Sequence, residues 1–241
     1  MKAIYNIGIR SYSLGVKLAG VFGNSKAKKW TSGRKNWRKT ITSQIGSSEK
    51  KVWIHATSLG EFEQVKPLIE KIKADNAFSG YKVVVTFFSP SGFEYSKNYE
   101  LADFKFYLPI DTKINAADFI ELINPSIAIF VKYDFWFNYL ELLQKKQIPH
   151  LFFGCNFREN QIYFKAINKW QLQILQKINR LFLLNKQSFD VLKNNNFSNM
   201  EICGDTRFDK VIQNANRCKP IALIEQFKQN KILLILGSSW E

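Results

Sequence analysis

The sequence has 241 residues, of which 46% are hydrophobic, so one large domain or two small ones with a sizeable core can form. The formal net charge is +15, but residues 1–51 hold twelve Lys or Arg against one acid and carry +11 of it. The near-neutral remainder argues against a nucleic-acid-binding body. The three cysteines, Cys155, Cys203 and Cys218, have neither the even number of a disulfide framework nor a metal-ligand spacing.

The first 22 residues predict an amphipathic helix. Lys2, Asn6, Arg10, Ser13 and Lys17 recur every three or four residues and share one face. The charged positions interrupt the segment too often for a bilayer span, which needs about 20 apolar residues, and a signal-peptide cleavage pattern is missing. We expect this helix to lie in a membrane interface. The alternative is an ordinary surface helix packed on the body.

Residues 26–39 form a basic segment that is interleaved with two tryptophans. This composition suits an anionic lipid surface or phosphorylated headgroups, although nucleic acid would attract the same residue types. The residues predicted to bind a membrane are Lys28, Lys29, Trp30, Arg34, Lys35, Trp37 and Arg38. A polar linker at 45–51 leads into the body.

The body alternates apolar strand patterns with amphipathic helix patterns. Strands are predicted at 51–55, 81–88, 104–108, 127–131, 150–153, 181–184 and 200–203. Helices are predicted at 61–75, 116–123, 135–145, 161–178 and 187–194. This alternation predicts an α/β fold, a Rossmann-like parallel sheet with helices on both faces. Ligands of such sheets bind beyond the carboxyl ends of the strands, so the residues after each strand are the site candidates.

Residues 52–61 predict a buried strand, a small-residue turn and the first turn of a helix. Thr57, Ser58 and Gly60 are turn and capping residues. Glu61 would then lie beside free backbone N–H groups at the positive end of a helix dipole, where a ligand could reach an ionised acid. The alternative is that Glu61 is only a favourable first-turn residue.

The segment His-Ala-Thr-Ser-Leu-Gly-Glu at 55–61 resembles the His-x-x-Ser-x-Gly-Glu signature of the Kdo (3-deoxy-D-manno-oct-2-ulosonic acid) transferases. Further segments resemble motifs of this family in the right order. They are Gly-Arg-Lys at 33–35, Ser-Pro-Ser-Gly at 89–92, Tyr-Leu-Pro-Ile-Asp at 107–111, Asp-Phe-Trp-Phe-Asn at 134–138 and Gly-Asp-Thr-Arg-Phe-Asp at 204–209. The resemblance covers nearly the whole chain, and its specificity comes from the ordered series.

The resemblance implies the N-terminal, acceptor-binding half of a GT-B glycosyltransferase. The family moves Kdo from CMP-Kdo to a lipid A precursor at the cytoplasmic face of the bacterial inner membrane, with inversion at the anomeric carbon. Glu61 matches the general base that such a displacement needs. The implied substrate-binding residues are Ser58, Gly60, Asp134, Trp136 and Asn138. The resemblance implies no cofactor and no metal, and the expected partners are CMP-Kdo, the lipid A precursor and an anionic membrane surface.

Two positions depart from the family pattern. Lys132 stands where the family has a Glu with a transition-state role, and a lysine there could hold a phosphate or the sugar carboxylate directly. Arg207 replaces a family Lys and offers a fork in place of a point charge. We therefore predict Lys132 and Arg207 as catalytic residues beside Glu61. Trp136 and Asn138 could equally be structural, and His55 is more typical of a core-facing strand histidine than of a catalytic group.

Three segments are predicted: a membrane-associating region at 1–45, a Rossmann-like acceptor domain at 50–217, and a linker with the first strand of a donor domain at 218–241. In the last, we expect a helix at 219–229 and a poorly anchored strand at 231–236. Because the donor half of a GT-B enzyme carries most of the nucleotide site, we expect residues 1–241 alone not to turn over CMP-Kdo.

Two other function classes stay open. A non-catalytic membrane-surface module would use residues 1–45 without any chemistry. A nucleic-acid binder would use the same basic residues and would show steep salt dependence, but the near-neutral body argues against it.

Overall fold

A computed structural model describes residues 1–46, 49–217 and 219–238. Seven strands lie at β1 (Lys50–Ala56), β2 (Tyr81–Phe87), β3 (Phe104–Tyr107), β4 (Ile127–Val131), β5 (His150–Cys155), β6 (Arg180–Leu183) and β7 (Met200–Ile202). They form one parallel sheet in the order β3-β2-β1-β4-β5-β6-β7. Every predicted body strand is present within about two residues, which confirms the Rossmann-like fold class.

Helices connect the strands and precede the sheet. They are α1 (Lys2–Val21), α2 (Ser25–Ser32), α3 (Trp37–Gln44), α4 (Leu59–Ala74), α5 (Pro90–Ser96), α6 (Lys113–Ile123), α7 (Phe137–Lys145), α8 (Lys169–Leu175), α9 (Lys186–Asn194), α10 (Thr206–Arg217) and α11 (Ala222–Lys228). The single helix predicted at 161–178 is wrong: two 3₁₀ turns, Ile162–Phe164 and Ala166–Asn168, precede the shorter α8. Helices α2, α3, α5 and α10 were not predicted.

The sheet is buried on both faces, which is why β1 reads as a continuous apolar run. Trp53 points into one core layer with Phe130 and Phe152, whereas Val52 and Ile54 point into the other. Because β1 lies between β2 and β4, the strand order reverses there, and the loops after β1 and β4 diverge. That crevice is the place where open α/β sheets bind ligands.

Helix α1 packs on the body through the side that carries Lys2, Tyr5, Asn6 and Ser13, whereas Arg10 and Lys17 of the predicted polar face are exposed. Lys2 forms an ion pair with Glu141 of α7, and the Tyr5 hydroxyl donates a hydrogen bond to the Asp111 carboxylate. The opposite face carries exposed apolar side chains, among them Ile4, Ile7, Leu14, Leu18, Val21 and Phe22. None of the described helices is both long enough and apolar enough to cross a membrane.

The basic segment is more deeply packed than its composition indicates. Trp30 is 5% exposed and Trp37 is 9% exposed, so both indoles belong to the protein core, and the prediction that they contact a membrane is corrected. The Arg34 guanidinium also turns inward, where it donates to the carbonyls of Phe88 and Leu108. Arg38 pairs with Asp118 on the protein surface.

Three of the seven predicted membrane-binding residues carry exposed side chains and no ion pair to a described residue: Lys28, Lys29 and Lys35. Within this segment a glycine is required at position 33, because a Cβ there would lie 2.2 Å from the Tyr107 ring. The tight contact between Gly33 and Tyr107 fixes the segment against the end of β3.

The strand predicted at 231–236 is wrong. Residues 232–237 have no regular secondary structure, and Ile232, Leu234, Ile235 and Leu236 are exposed. A strand needs a neighbour for its backbone hydrogen bonds, and none of the described strands lies beside this segment. The preceding helix is present as α11, shorter than predicted. Residues 239–241 lie outside the described residues, as do 47–48 and 218.

Candidate functional site

The candidate site lies at the reversal of strand order, in the crevice between the loops after β1 and β4. The first loop carries Ser58 and Glu61, and the second carries Lys132 and Asp134. The Lys132 ammonium lies 3.9 Å from Glu61 Oε1, so the fold brings together two residues that are 71 positions apart in the sequence. A carboxylate and an ammonium group thus share one crevice at the carboxyl ends of the strands.

Glu61 occupies the third position of α4, next to the capping residue Ser58. The backbone N–H and the hydroxyl of Ser58 both donate to Glu61 Oε2, at 2.7 and 2.8 Å. The Ser58 side chain in turn faces the backbone N–H of Glu61, which completes a capping box. One carboxylate oxygen is thus fixed, while the other faces Lys132. The Glu61 side chain is 16% exposed, so the carboxylate is largely enclosed yet open to the crevice.

Lys132 has a backbone conformation that is unusual for a side-chain-bearing residue. Its φ is +57°, in the left-handed region where non-glycine residues are strained. The conformation is held because the Lys132 N–H donates to the Phe153 carbonyl and the Lys132 carbonyl accepts from Cys155 Sγ. The strained turn aims the ammonium at Glu61, and strain of this kind clusters at functional sites.

Asp134 is a second carboxyl group in the crevice. Burial raises the pKa of Asp134 to about 7, and the nearby charge of Glu61 adds to the rise. Its Oδ2 is buried without a hydrogen-bond partner among the described residues. A carboxyl group with such a pKa exists in both protonation states near neutral pH and can donate or accept a hydrogen bond.

His55 forms the floor of the crevice in a neutral form. Burial lowers the pKa of His55 to about 3, and Trp136 Nε1 donates to His55 Nε2 at 3.0 Å. Since Nε2 accepts, Nδ1 carries the proton and donates to Thr86 Oγ1 at 2.9 Å. The 3.9 Å approach of Asp134 to His55 is therefore not an ion pair. The interpretation of His55 as a core-facing strand histidine agrees with this burial.

The sequence model of the 3-deoxy-D-manno-octulosonic-acid transferases (kdotransferases) matches residues 33–210. The chain belongs to this family. Among Kdo transferases it is 31% identical to that of Aquifex aeolicus over 86 residues, and 29% identical to that of Haemophilus influenzae over 99 residues. These matches cover 35% and 41% of this chain and 23% of each relative, so the chain matches less than a quarter of their length.

Solved structures share the fold of this Kdo transferase family member. The UDP-GlcNAc 2-epimerase of Neisseria meningitidis superposes with a TM-score of 0.54 at 14% identity, over 75% of this chain and 53% of that one. The UDP-GlcNAc 2-epimerase of Methanocaldococcus jannaschii gives 0.53 at 13% identity, over 76% and 53%. At this identity the likeness shows the fold alone.

Two predicted site residues of the Kdo transferase motifs lie elsewhere. Asn138 is buried, and its amide donates to the Asp111 carbonyl and to Asn6 of α1, so it fixes the N-terminal helix and does not face the crevice. The Arg207 guanidinium pairs with Asp205, just before α10, and forms no hydrogen bond or ion pair with Glu61 or Lys132 in the described part of the chain. The prediction of Asn138 as a substrate ligand is thus corrected, and Arg207 lies apart from the pair at Glu61.

The remaining predicted residues line the crevice. Gly60 is exposed, and a Cβ there would meet nothing within 4 Å, so its bare backbone faces open space. Trp136 stacks near Phe88, with ring centroids 4.7 Å apart, and bonds to His55. The backbone N–H and the hydroxyl of Ser58 both donate to the Glu61 carboxylate. The described residues hold no cluster of three or more His, Cys, Asp or Glu side chains that could bind a metal.

Sequence reasoning did not assign roles to two residues near the site. Thr86 accepts hydrogen bonds from both Trp53 and His55, and Asp111 accepts from Tyr5 and from the first amides of α7. Burial raises the pKa of Asp111 to about 6. Asp111 belongs to a recognised family motif, but its partners come from positions 5 and 138–139, which no local pattern connects.

Proposed function

We propose that the protein transfers Kdo from CMP-Kdo to a lipid A precursor in lipopolysaccharide biosynthesis. Its family membership supports the transfer of Kdo. The observation that carries the residue assignment is the Glu61 carboxylate, which is held through one oxygen by Ser58 and opens into the crevice beside Lys132. An acid fixed in this way can accept a proton from a hydroxyl group in a defined direction.

In the proposed reaction, a hydroxyl oxygen of the acceptor attacks the anomeric carbon of Kdo while Glu61 takes the hydroxyl proton. The bond between that carbon and the CMP phosphate oxygen breaks, and CMP leaves with the electron pair. Attack from the side opposite CMP inverts the configuration. The reaction is a single displacement, so one base suffices.

Lys132 and Asp134 have separate proposed roles. The Lys132 ammonium, 33% exposed, offers a positive charge for the donor phosphate or the Kdo carboxylate. Asp134, with its unpartnered Oδ2, can donate a hydrogen bond to the same anion when protonated. In this arrangement Glu61 deprotonates the acceptor, and Lys132 and Asp134 in the loop after β4 bind the donor.

We also propose a peripheral location at the cytoplasmic face of the inner membrane. The support is the exposed apolar face of α1, which turns away from the body because the opposite side of the helix makes the contacts. An amphipathic helix whose apolar side faces outward is suited to the headgroup region of a bilayer. The lipid acceptor would be met at the same surface.

The same apolar face favours a second candidate, a membrane-surface module without chemistry. The experiment that separates the two uses radiolabelled CMP-Kdo, lipid A precursor in vesicles, and the protein expressed from its complete reading frame. Label in the lipid fraction supports transfer. Vesicle flotation of the protein with the label left in CMP-Kdo contradicts transfer and supports the binding module.

A further inference from the structure

A cavity of about 720 Å³ lies among α1, α2, α3 and the loop that follows β3. Trp30 lines it and contacts Phe88, which in turn contacts Trp136, at ring-centroid distances of 5.6 and 4.7 Å. The cavity is thus a neighbour of the candidate site, but it contains neither Glu61 nor Lys132. The mechanism above makes no use of it.

The described lining carries four basic side chains, Lys17, Lys28, Arg34 and Lys35, and no carboxylate. Arg34 is the deepest of them. Its guanidinium donates to three backbone carbonyls and stacks on the Trp30 ring at 4.0 Å, but it forms no ion pair with a described acid. A buried positive charge that is balanced by carbonyl dipoles and aromatic rings, without a carboxylate, favours an anion nearby.

Two lining residues have unsatisfied polar atoms. Trp30 Nε1 and Thr31 Oγ1 are buried and have no hydrogen-bond partner in the described part of the chain. The Trp30 side chain is more than nine-tenths buried. Buried polar groups are almost always hydrogen-bonded in folded proteins, and two orphans beside one cavity indicate a ligand with acceptor oxygens.

The lining also contains the polar residues Ser13, Ser32 and Asn115, together with an apolar part that leads outward. Trp37, Pro109 and Ile110 line the interior, and Val21 lies at the end of α1. Val21 is also highly exposed and is followed by the exposed Phe22, so the cavity rim continues into the outward apolar face of α1. A ligand that fits both parts has an anionic head and a hydrocarbon tail.

We propose that this cavity binds one anionic glycerophospholipid, with its phosphate among Lys17, Lys28 and Lys35 and an acyl chain along Val21 and Ile110. Such a site would fix α1 to a single lipid of the leaflet, beyond the general attraction of a basic surface. Because the site excludes Glu61, its test is independent of sugar transfer.

The test is calorimetric titration of the 241-residue chain with dihexanoylphosphatidylglycerol below its micelle concentration. Saturable binding at one lipid per chain is expected. Dihexanoylphosphatidylcholine has the same tails and no net charge, and it should bind at least tenfold more weakly. Inorganic phosphate at the same concentration should not displace the glycerol lipid, because it lacks the tails.

A matched pair of double variants separates the cavity from overall charge. Lys28→Glu with Lys35→Glu alters two lining residues, and we expect at least a tenfold loss of affinity. Lys26→Glu with Lys39→Glu makes the same charge change at exposed positions outside the lining, and we expect less than a twofold loss. Circular dichroism checks that both variants are folded.

The proposal is overturned if no saturable binding occurs, if both double variants lose affinity equally, or if phosphate displaces the lipid. Glu61→Gln should leave the lipid affinity unchanged. If the unaltered protein, expressed from its complete reading frame, fails to transfer Kdo while lipid binding is normal, the proposed function is refuted and this site stands. Normal transfer without saturable lipid binding refutes this site and leaves the proposed function standing.

Discussion

Thr86→Val tests the hydrogen-bond network beneath the site. Thr86 Oγ1 accepts from Trp53 Nε1 at 2.8 Å and lies 2.9 Å from His55 Nδ1, and both aromatic side chains are fully buried. Valine preserves the shape of the side chain but leaves two buried N–H donors without an acceptor. Each such donor costs about 1–3 kcal/mol, so with two donors the variant should lose roughly 2–6 kcal/mol of unfolding free energy.

The matched control is Thr86→Ser, which keeps the hydroxyl and removes one methyl group. Its expected cost is about 1 kcal/mol. Urea unfolding monitored by circular dichroism gives both free energies, and the m-values should agree with that of the unaltered chain. If valine costs less than serine, the hydroxyl does not serve two donors, and the neutral Nδ1–H form of His55 loses its support.

Three further predictions concern packing, pH and the docking of α1. Gly33→Ala forces a Cβ into a fixed ring and should destabilise the protein by about 1–3 kcal/mol, whereas Gly60→Ala meets open space and should not lower the melting temperature. The folded-state pKa of Asp134, about 7, exceeds its ordinary value near 4. Asp134 therefore contributes fully to the free energy of unfolding below about pH 4, and this contribution is lost as the pH rises through about 7. Asp134→Asn should flatten this fall of the unfolding free energy, measured by urea unfolding at a series of pH values. Tyr5→Phe removes a hydrogen bond to Asp111 and should raise the amide hydrogen-exchange rates across α1 by about tenfold, with the rates in β1 unchanged. The same change in rate for α1 and β1 would contradict this docking.

The strands were predictable because each parallel strand is a short apolar run that ends at a turn residue. The position of Glu61 and Lys132 at the carboxyl edge of the sheet was predictable for the same reason, whereas the choice of these two as catalytic residues came from the resemblance to the family motifs. These two residues lie near each other because β1 and β4 are adjacent in the sheet, and this strand order is a property of the whole topology.

Burial of the basic segment was not predictable from its composition. Trp30 and Arg34 are residue types typical of a membrane-binding surface. The Arg34 guanidinium instead donates hydrogen bonds to the carbonyls of Phe88 and Leu108, which lie 54 and 74 positions away in the sequence. The role of Asn138 was not predictable for the same reason, because its partners Asp111 and Asn6 are also distant in the sequence. Local patterns predict which residues are polar, whereas partners brought in by the fold decide which of them face solvent.

The central claim is that Glu61 takes the proton of the acceptor hydroxyl, and a matched pair of variants tests it most directly. Glu61→Gln keeps the size of the side chain and removes the base, whereas Glu63→Gln alters a residue two positions along that pairs with Lys66. With the protein expressed from its complete reading frame, Glu61→Gln should lower kcat for Kdo transfer by about 10²–10⁴-fold, and Glu63→Gln should leave it within threefold. Equal activity of the two variants would contradict the assignment of Glu61 as the base.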